Sequence, residues 1–284
     1  GCTGFVGREL VPQLLRKGHH LTIVSRKNFQ QLSNNLPHDC LENLIELNPA
    51  DLQNWQKEEL LIPLSKADGV INLAGEPIAE SRWTSKHLEK LETSRLNTTK
   101  GLINAMSDLK RPPKVLINGS AIGFYGTSLK DKFNEDSRAG EDFLARLCQQ
   151  WEATALQKPR STRLIIFRIG IVLGPNGGAL GKMVPIFKTG LGGPIGDGNQ
   201  WMSWIHRSDL CQMIEQALTN KSWSGVINAV APQPISMKDF ATDLGKSLGK
   251  GSLFQVPGAI VKLLLGDGAR VVLEGQQVES IKLN

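Results

Sequence analysis

Three glycines, Gly1, Gly4 and Gly7, recur at intervals of three residues. A GxxGxxG turn that opens a helix can do one kind of chemistry well. Its bare backbone lets a pyrophosphate approach closely, and the unpaired N–H groups and dipole of the helix N-terminus face the anion. Phe5, Val6, Leu10, Leu14 and Leu15 recur at helical spacing, which predicts a helix over Gly4–Lys17 with Gly18 as its stop and a local bend at Pro12. A short apolar strand, Leu21–Val24, follows at the distance expected of a βαβ unit. An ordinary tight turn would use the same glycines, but the helix and strand behind them make a dinucleotide site the better reading.

The end of that strand selects the dinucleotide. An acidic residue there would accept hydrogen bonds from the ribose hydroxyls of NAD. This chain has Ser25-Arg26-Lys27 instead. The planar fork of Arg26 suits a 2′-phosphate and Ser25 can donate to it, so the expected cofactor is NADP. The alternative for these residues is a solvated loop.

The elements that must hold this turn alternate along the chain. Strands are expected at Leu44–Leu47, Gly69–Ala74, Val115–Ile117, Arg163–Val172 and Val226–Val230. Helices are expected at Ser85–Leu109, Glu141–Lys158, Ser208–Leu218 and Ser236–Leu248, the last with Ser236 as N-cap. Such alternation implies an α/β fold, a doubly wound parallel sheet. A strand normally precedes a glycine-rich nucleotide turn, so the first strand of the sheet is expected to be missing ahead of Gly1. Nine glycines crowd positions 174 to 198 and change the texture there. The expected division is therefore a dinucleotide-binding domain over 1–173 and, over 174–284, mainly a small C-terminal substrate lobe with elements returning to the sheet. Arg95 lies on the apolar stripe of the long helix, where a buried charge needs a partner.

Composition narrows the partners. The 284 residues are 40% hydrophobic and 21% charged, ordinary values for a globular protein. The net charge of +6 is spread along the chain without a basic run, which argues against nucleic acid as a partner. Apolar runs are interrupted too early to span a membrane. Cys2, Cys40, Cys148 and Cys211 form no CxxC pair and no metal-ligand spacing, so no metal site is expected, and reduced thiols point to the cytoplasm.

Many short segments together resemble the extended short-chain dehydrogenase/reductase superfamily, and within it an atypical epimerase-family, NAD-dependent epimerase/dehydratase-like subgroup. The resemblance runs through nearly the whole chain. It is carried by Gly1–Gly7, Ser25-Arg26, Asn72-Leu-Ala-Gly-Glu76, Arg82-Trp83, Ser94-Arg95-Leu-Asn97, Gly119-Ser120, Arg168-Ile-Gly-Ile-Val-Leu-Gly-Pro175, Gly192-Gly-Pro-Ile-Gly196, Trp204-Ile-His206 with Asp209, and Asn228-Ala-Val-Ala-Pro232. The resemblance implies a Rossmann fold with Gly1, Thr3, Gly4, Phe5, Val6 and Gly7 lining the pyrophosphate. It places Leu73, Ala74 and Gly75 beside the adenosine, turns Arg95 inward to the cofactor, and sets Arg168 and Val172 near the nicotinamide.

The family's catalytic pattern departs here. Its members use a serine and a YxxxK pair, in which tyrosine exchanges a proton with the substrate and lysine lowers the tyrosine pKa. This chain has one tyrosine, Tyr125, followed four residues later by Leu129, so no YxxxK exists in it. Leu144 and Cys148 align with the two missing positions. Ser120 keeps the serine position, and Tyr125 is the second catalytic candidate. His206 reads as a structural histidine in preference to an acid, Asp209 as a helix cap, and Trp201 and Trp204 as core residues. Glu76 reads either as a base near the nicotinamide or as a solvated loop residue. The expected activity is an NADP-dependent oxidoreductase or sugar-nucleotide-epimerase-like enzyme on a small polar substrate, a nucleotide sugar among the candidates. The alternative is a non-catalytic NADP-binding sensor or regulatory module.

Overall fold

A computed structural model describes residues 1–283. The first half of the chain runs α1 (Gly7–Arg16), β1 (Ile23–Ser25), α2 (Phe29–Ser33), β2 (Leu44–Glu46), α3 (Glu58–Lys66), β3 (Gly69–Asn72), α4 (Ser85–Ser107), β4 (Val115–Ala121), β5 (Lys132–Phe133) and α5 (Phe143–Leu156). The second half runs β6 (Arg163–Ile169), β7 (Ile171–Leu173), α6 (Gly178–Lys188), β8 (Trp201–Met202), β9 (Trp204–His206), α7 (Arg207–Thr219), β10 (Gly225–Ala229), β11 (Ile235–Ser236), α8 (Met237–Ser247), α9 (Gly258–Leu265), α10 (Arg270–Leu273) and β12 (Gln277–Val278).

Four strands form an all-parallel sheet in the order β10-β6-β4-β3, flanked on both faces by helices. The side chains of a strand alternate between faces. Val115, Ile117, Ile165 and Phe167 therefore pack towards α1 and α7, with Leu10, Leu14, Leu210 and Ile214. Leu116, Leu164 and Ile166 point the other way, against Leu102, Ile103 and Met106 of α4 and Ala155 of α5. Burial on both faces is what makes β4 and β6 nearly continuous apolar runs. Side chains cap several of the helices, among them Thr84 for α4, Asp142 for α5, His206 for α7 and Ser236 for α8.

The expected doubly wound parallel arrangement is present, with three departures in detail. The helix after the glycines begins at Gly7 rather than Gly4, because residues 2–6 stay in a turn closed by the Gly4 N–H donating to the Gly1 carbonyl at 3.1 Å. The strand expected over Arg163–Val172 breaks at Gly170, where an added Cβ would lie 2.6 Å from the Ser203 carbonyl. The break lets β6 stay in the sheet while β7 pairs with β9. The glycine-rich stretch after 174 contains α6, a helix that its glycines and Pro185 conceal in the sequence.

β1 and β2 pair with each other in parallel and form no ladder with the four-stranded sheet. Gly1 and Cys2 lie at the carboxyl ends of β1 and β3, Gly1 against the Leu73 carbonyl and Cys2 Sγ donating to the Val24 carbonyl at 3.5 Å. Open α/β sheets bind ligands at those strand ends, and both polar regions described next lie there.

Candidate functional site

The glycine turn divides its labour among its three glycines. A Cβ on Gly1 would collide with the Leu73 carbonyl of the β3 exit, and a Cβ on Gly7 would collide with the Cys2 carbonyl. Those two glycines are required by the protein's own packing. Gly4 is exposed, and a Cβ there would meet only the Gly1 carbonyl, at 3.3 Å. Gly4 thus keeps open a face that no part of the chain fills. Beside it, α1 starts at Val6 without a side-chain cap, and the N–H groups of Phe5 and Val6 find no acceptor among the described residues. Free N–H groups, a helix dipole and a bare glycine face fit the pyrophosphate of a dinucleotide.

The other expected cofactor residues divide between the surroundings of this turn and the core. Ser25 and Arg26 sit at the end of β1, with the Ser25 hydroxyl accepting from the Lys27 N–H at 3.0 Å. Leu73, Ala74 and Gly75 leave β3 against Gly1, and the Ala74 N–H donates to Asn72 Oδ1 at 3.2 Å. Phe5 points away from the open face. Its ring lies against Gly174, Gly177 and Gly178 and under the Arg207 guanidinium, 4.5 Å from the ring centre. Arg207 in turn pairs with Glu9 of α1. Val6 and Val172 each pack, partly buried, against the core cluster that contains Leu10, Leu14 and Leu210.

Arg95 differs from its expected role. It is buried, and its guanidinium donates to the Leu91 carbonyl at 3.0 Å and the Glu76 carbonyl at 2.9 Å, and lies over Trp151. A Cβ on Gly75 would stand 2.9 Å from its Cζ. Burial lowers the Arg95 pKa, while Cys148 and Glu76 oppose that shift. Arg95 therefore holds the Gly75-Glu76 backbone in place. Glu76, left open between two readings, pairs with Arg26 at 3.6 Å.

The expected catalytic residues lie in a second region, a closed network. Ser120, 4% exposed at the end of β4, donates to Glu152 Oε1 at 2.6 Å. Arg168 clamps the same carboxylate with two bonds, Nε to Oε1 at 2.9 Å and Nη2 to Oε2 at 2.8 Å. Its third nitrogen donates to the Tyr125 hydroxyl at 2.9 Å, and that hydroxyl donates to Asn228 Oδ1 at 2.8 Å. Arg168 also covers the Phe124 ring, 3.3 Å from its centre. Asn228 continues the chain of bonds through its N–H to Glu135 and its Nδ2 to the Glu279 carbonyl. Tyr125 is 3% exposed and stacks on Phe133.

Electrostatics match this closure. Burial raises the Tyr125 pKa despite the Arg168 hydrogen bond that works against it. Burial would lower the Arg168 pKa, but its bonds to Glu152 and Tyr125 more than offset that and hold it up. Cys148, at the position aligned with the missing lysine, is buried beside Ser120. Burial together with the nearby Glu152 carboxylate pushes its thiol up to about 11. The expectation that Tyr125 acts as an acid and Arg168 as a cofactor contact meets a physical obstacle here. The Tyr125 hydroxyl both donates and accepts inside the core, and each guanidinium nitrogen of Arg168 has a partner there.

Glu152 and Glu135 of this network escaped the sequence reading, and Asn228 entered it only as a marker of the resemblance, without a role. Glu152 sits on the buried face of α5 with Cys148, Trp151 and Ala155. A glutamate on an apolar stripe is the same signal that singled out Arg95, and it could have found Glu152. Asn228 carries no such signal, since its role depends on β10 pairing with β6, where it stands opposite Arg168. His206 caps α7 by accepting from the Ser208 N–H, so it is the structural residue expected, and it takes the cap position expected for Asp209. Trp201 donates from Nε1 to the Leu129 carbonyl.

Comparison with known proteins agrees with this geometry. The family model described as "NAD dependent epimerase/dehydratase family" matches residues 1–229. An Arabidopsis thaliana protein, the chloroplastic homolog of epimerase family protein SDR39U1, is 38% identical over 99% of this chain and 79% of its own length. The Homo sapiens epimerase family protein SDR39U1 is 36% identical over 98% of this chain and 89% of its own length. A crystal structure of the human protein with NADPH superposes with a TM-score of 0.84 at 34% identity, covering 98% of this chain and 89% of that one. No helix among the described residues is long and apolar enough to cross a membrane. The match of sequence, fold and glycine turn leads to one conclusion: this chain belongs to the NAD-dependent epimerase/dehydratase family.

Proposed function

We propose that this chain binds NADP(H) in the cleft formed by Gly1–Gly7, Ser25-Arg26 and Leu73–Gly75, as an NADP-dependent oxidoreductase or epimerase-like protein of small polar substrates. The observation that carries the reading is Gly4, whose bare face is left open where Gly1 and Gly7 are filled by the protein itself. The pyrophosphate would lie on Gly4 and the N–H groups of Phe5 and Val6, with Leu73–Gly75 beside the adenosine. Arg26 stands where a 2′-phosphate needs a planar cation. The human relative crystallised with NADPH supports the same choice. When bound, the nicotinamide supplies hydride chemistry, and the chain's part is to hold and orient it. Ser120 is the family's serine position and Val172 lies beneath the turn near Phe5. Four free thiols suit a reducing compartment such as the cytoplasm.

A second reading is favoured by one observation. The Ser120 and Tyr125 hydroxyls are held in the network around Arg168 and Glu152, so neither is free to trade a proton with a substrate. That favours a protein that retains NADP(H) as a sensor or regulatory module without turnover. The deciding experiment loads the protein with NADPH and follows nicotinamide absorbance against a panel of carbonyl compounds and nucleotide sugars. Oxidation by one of them establishes the enzyme, whereas tight binding with no oxidation by any of them sinks it. Arg26→Asp tests the cofactor choice in parallel. It is expected to weaken NADPH about tenfold or more while sparing NADH, since it removes a charge-assisted clamp and adds a repelling carboxylate. Equal loss for both would remove Arg26 from the phosphate site.

A further inference from the structure

Glu76 is the acidic group nearest the guanidinium on which the 2′-phosphate would rest. Its carboxylate lies 3.6 Å from Arg26 Nη2, with the Glu76 side chain about three-quarters buried. Its backbone is fixed from both sides: the N–H donates to Ser94 Oγ at 2.9 Å and the carbonyl accepts from Arg95 Nη2 at 2.9 Å. Arg95 is itself held by the Leu91 carbonyl and braced against Gly75 and Trp151. The carboxylate therefore hangs from a rigid anchor, while the Arg26 side chain is largely exposed and free to choose its partner.

We propose that Glu76 is a specificity-determining residue: its carboxylate stands in for the 2′-phosphate on Arg26 and sets how strongly the cleft prefers a 2′-phosphorylated dinucleotide. This rests on the reading of the cleft as an NADP(H) site. Two effects act in the same direction. A phosphate arriving at Arg26 must displace the Glu76 carboxylate and then endure its like charge. A ribose 2′-hydroxyl can instead donate to the carboxylate, as it does to the acidic residue of NAD sites. Glu76 thus weakens NADP(H) and supports NAD(H), moderating the selectivity that Arg26 creates. The Arg26–Glu76 pair is solvent-screened and engages one guanidinium nitrogen, so the effect is a modest factor.

The test is a binding titration followed by nicotinamide fluorescence, with NADPH and NADH, on wild type, Glu76→Gln, Arg26→Ala and the double variant. The carboxylate takes no part in the backbone anchors, so Glu76→Gln is expected to fold normally, and thermal unfolding verifies it. Glu76→Gln is expected to tighten NADPH about threefold and to leave NADH unchanged or weaker. The gain should vanish in the Arg26→Ala background and shrink at high salt. An equal shift for both cofactors, a weaker NADPH or no shift at all would overturn the assignment while leaving the cofactor reading intact. Failure of the wild type to bind either nucleotide would overturn both.

Discussion

In the proposed cofactor cleft the polar groups are open: the backbone N–H groups beside Gly4, the uncapped start of α1, and an exposed Arg26 side chain on a loose pair with Glu76. In the network around Arg168 the polar groups are side chains, and they are closed: Ser120, Tyr125, Glu152 and Asn228 find their partners within the protein. Both regions stand at the carboxyl ends of parallel strands. The first keeps its hydrogen-bonding capacity for a ligand, and the second spends it on the fold. Where the family places its proton relay, this chain has a neutralised ion pair and a thiol that stays protonated. The comparison sets a region with open hydrogen-bonding groups beside one whose groups are paired within the protein.

The sharpest way to break the contrast is to open the closed side. Arg168→Met would leave the Glu152 carboxylate buried without its cation. The expected loss is about 3–5 kcal/mol of unfolding free energy, measured by denaturant titration. A loss below about 1 kcal/mol would show that water already reaches the carboxylate and that the network is not closed. The open side should respond in affinity instead. Gly4→Ala fills the bare face against only one tight neighbour, the Gly1 carbonyl. It is expected to weaken NADPH by about tenfold or more, with a small change in melting temperature. Unchanged affinity would move the pyrophosphate off Gly4.

The smallest effect concerns pH and the far end of the network. Burial would raise the Glu135 pKa, but bonds from the Ser280 hydroxyl and the N–H groups of Asn228 and Ile281 more than offset this and hold it below the ordinary range. A depressed folded pKa contributes stability that is present above the unfolded value and lost as pH falls through the folded one. Glu135→Gln is therefore expected to flatten the acid limb of the stability curve below about pH 4.3, followed by unfolding at stepped pH. Parallel limbs for variant and wild type would mean that these bonds do not persist in solution.

Much of this architecture was legible from local pattern. The starts of β4 and β6, the stripe of α4 and the Ser236 cap of α8 appear in the sequence as they do in space, although β4 runs on to Ala121 and β6 stops at Ile169. Local pattern failed where the deciding contact is distant. Gly170 interrupts a continuous apolar run because Ser203 presses on it, and nothing near Gly170 announces Ser203. α6 forms despite Gly178, Gly181 and Pro185 because tertiary packing of Met183 and Phe187 overrides weak propensity. The placement of Leu73 beside the glycine turn followed from the resemblance, and Gly1 lies against the Leu73 carbonyl. The fate of Arg168 did not, since its partners come from α5 and the Ile122–Tyr125 turn, elements that meet only after folding.

The Phe5 ring joins two stretches that are some 170 positions apart in the chain. Its socket includes Gly174 and Gly178, the latter at φ +59, where a side chain would be strained as well as obstructed. The start of the glycine run, Gly174, Gly177 and Gly178, is thus the cast of one aromatic ring, and the two stretches carry a single joint constraint. In terms of inheritance, neither can be exchanged alone. A chimera that takes its first residues from a relative with another side chain at position 5 would carry a socket cut for a ring it no longer has.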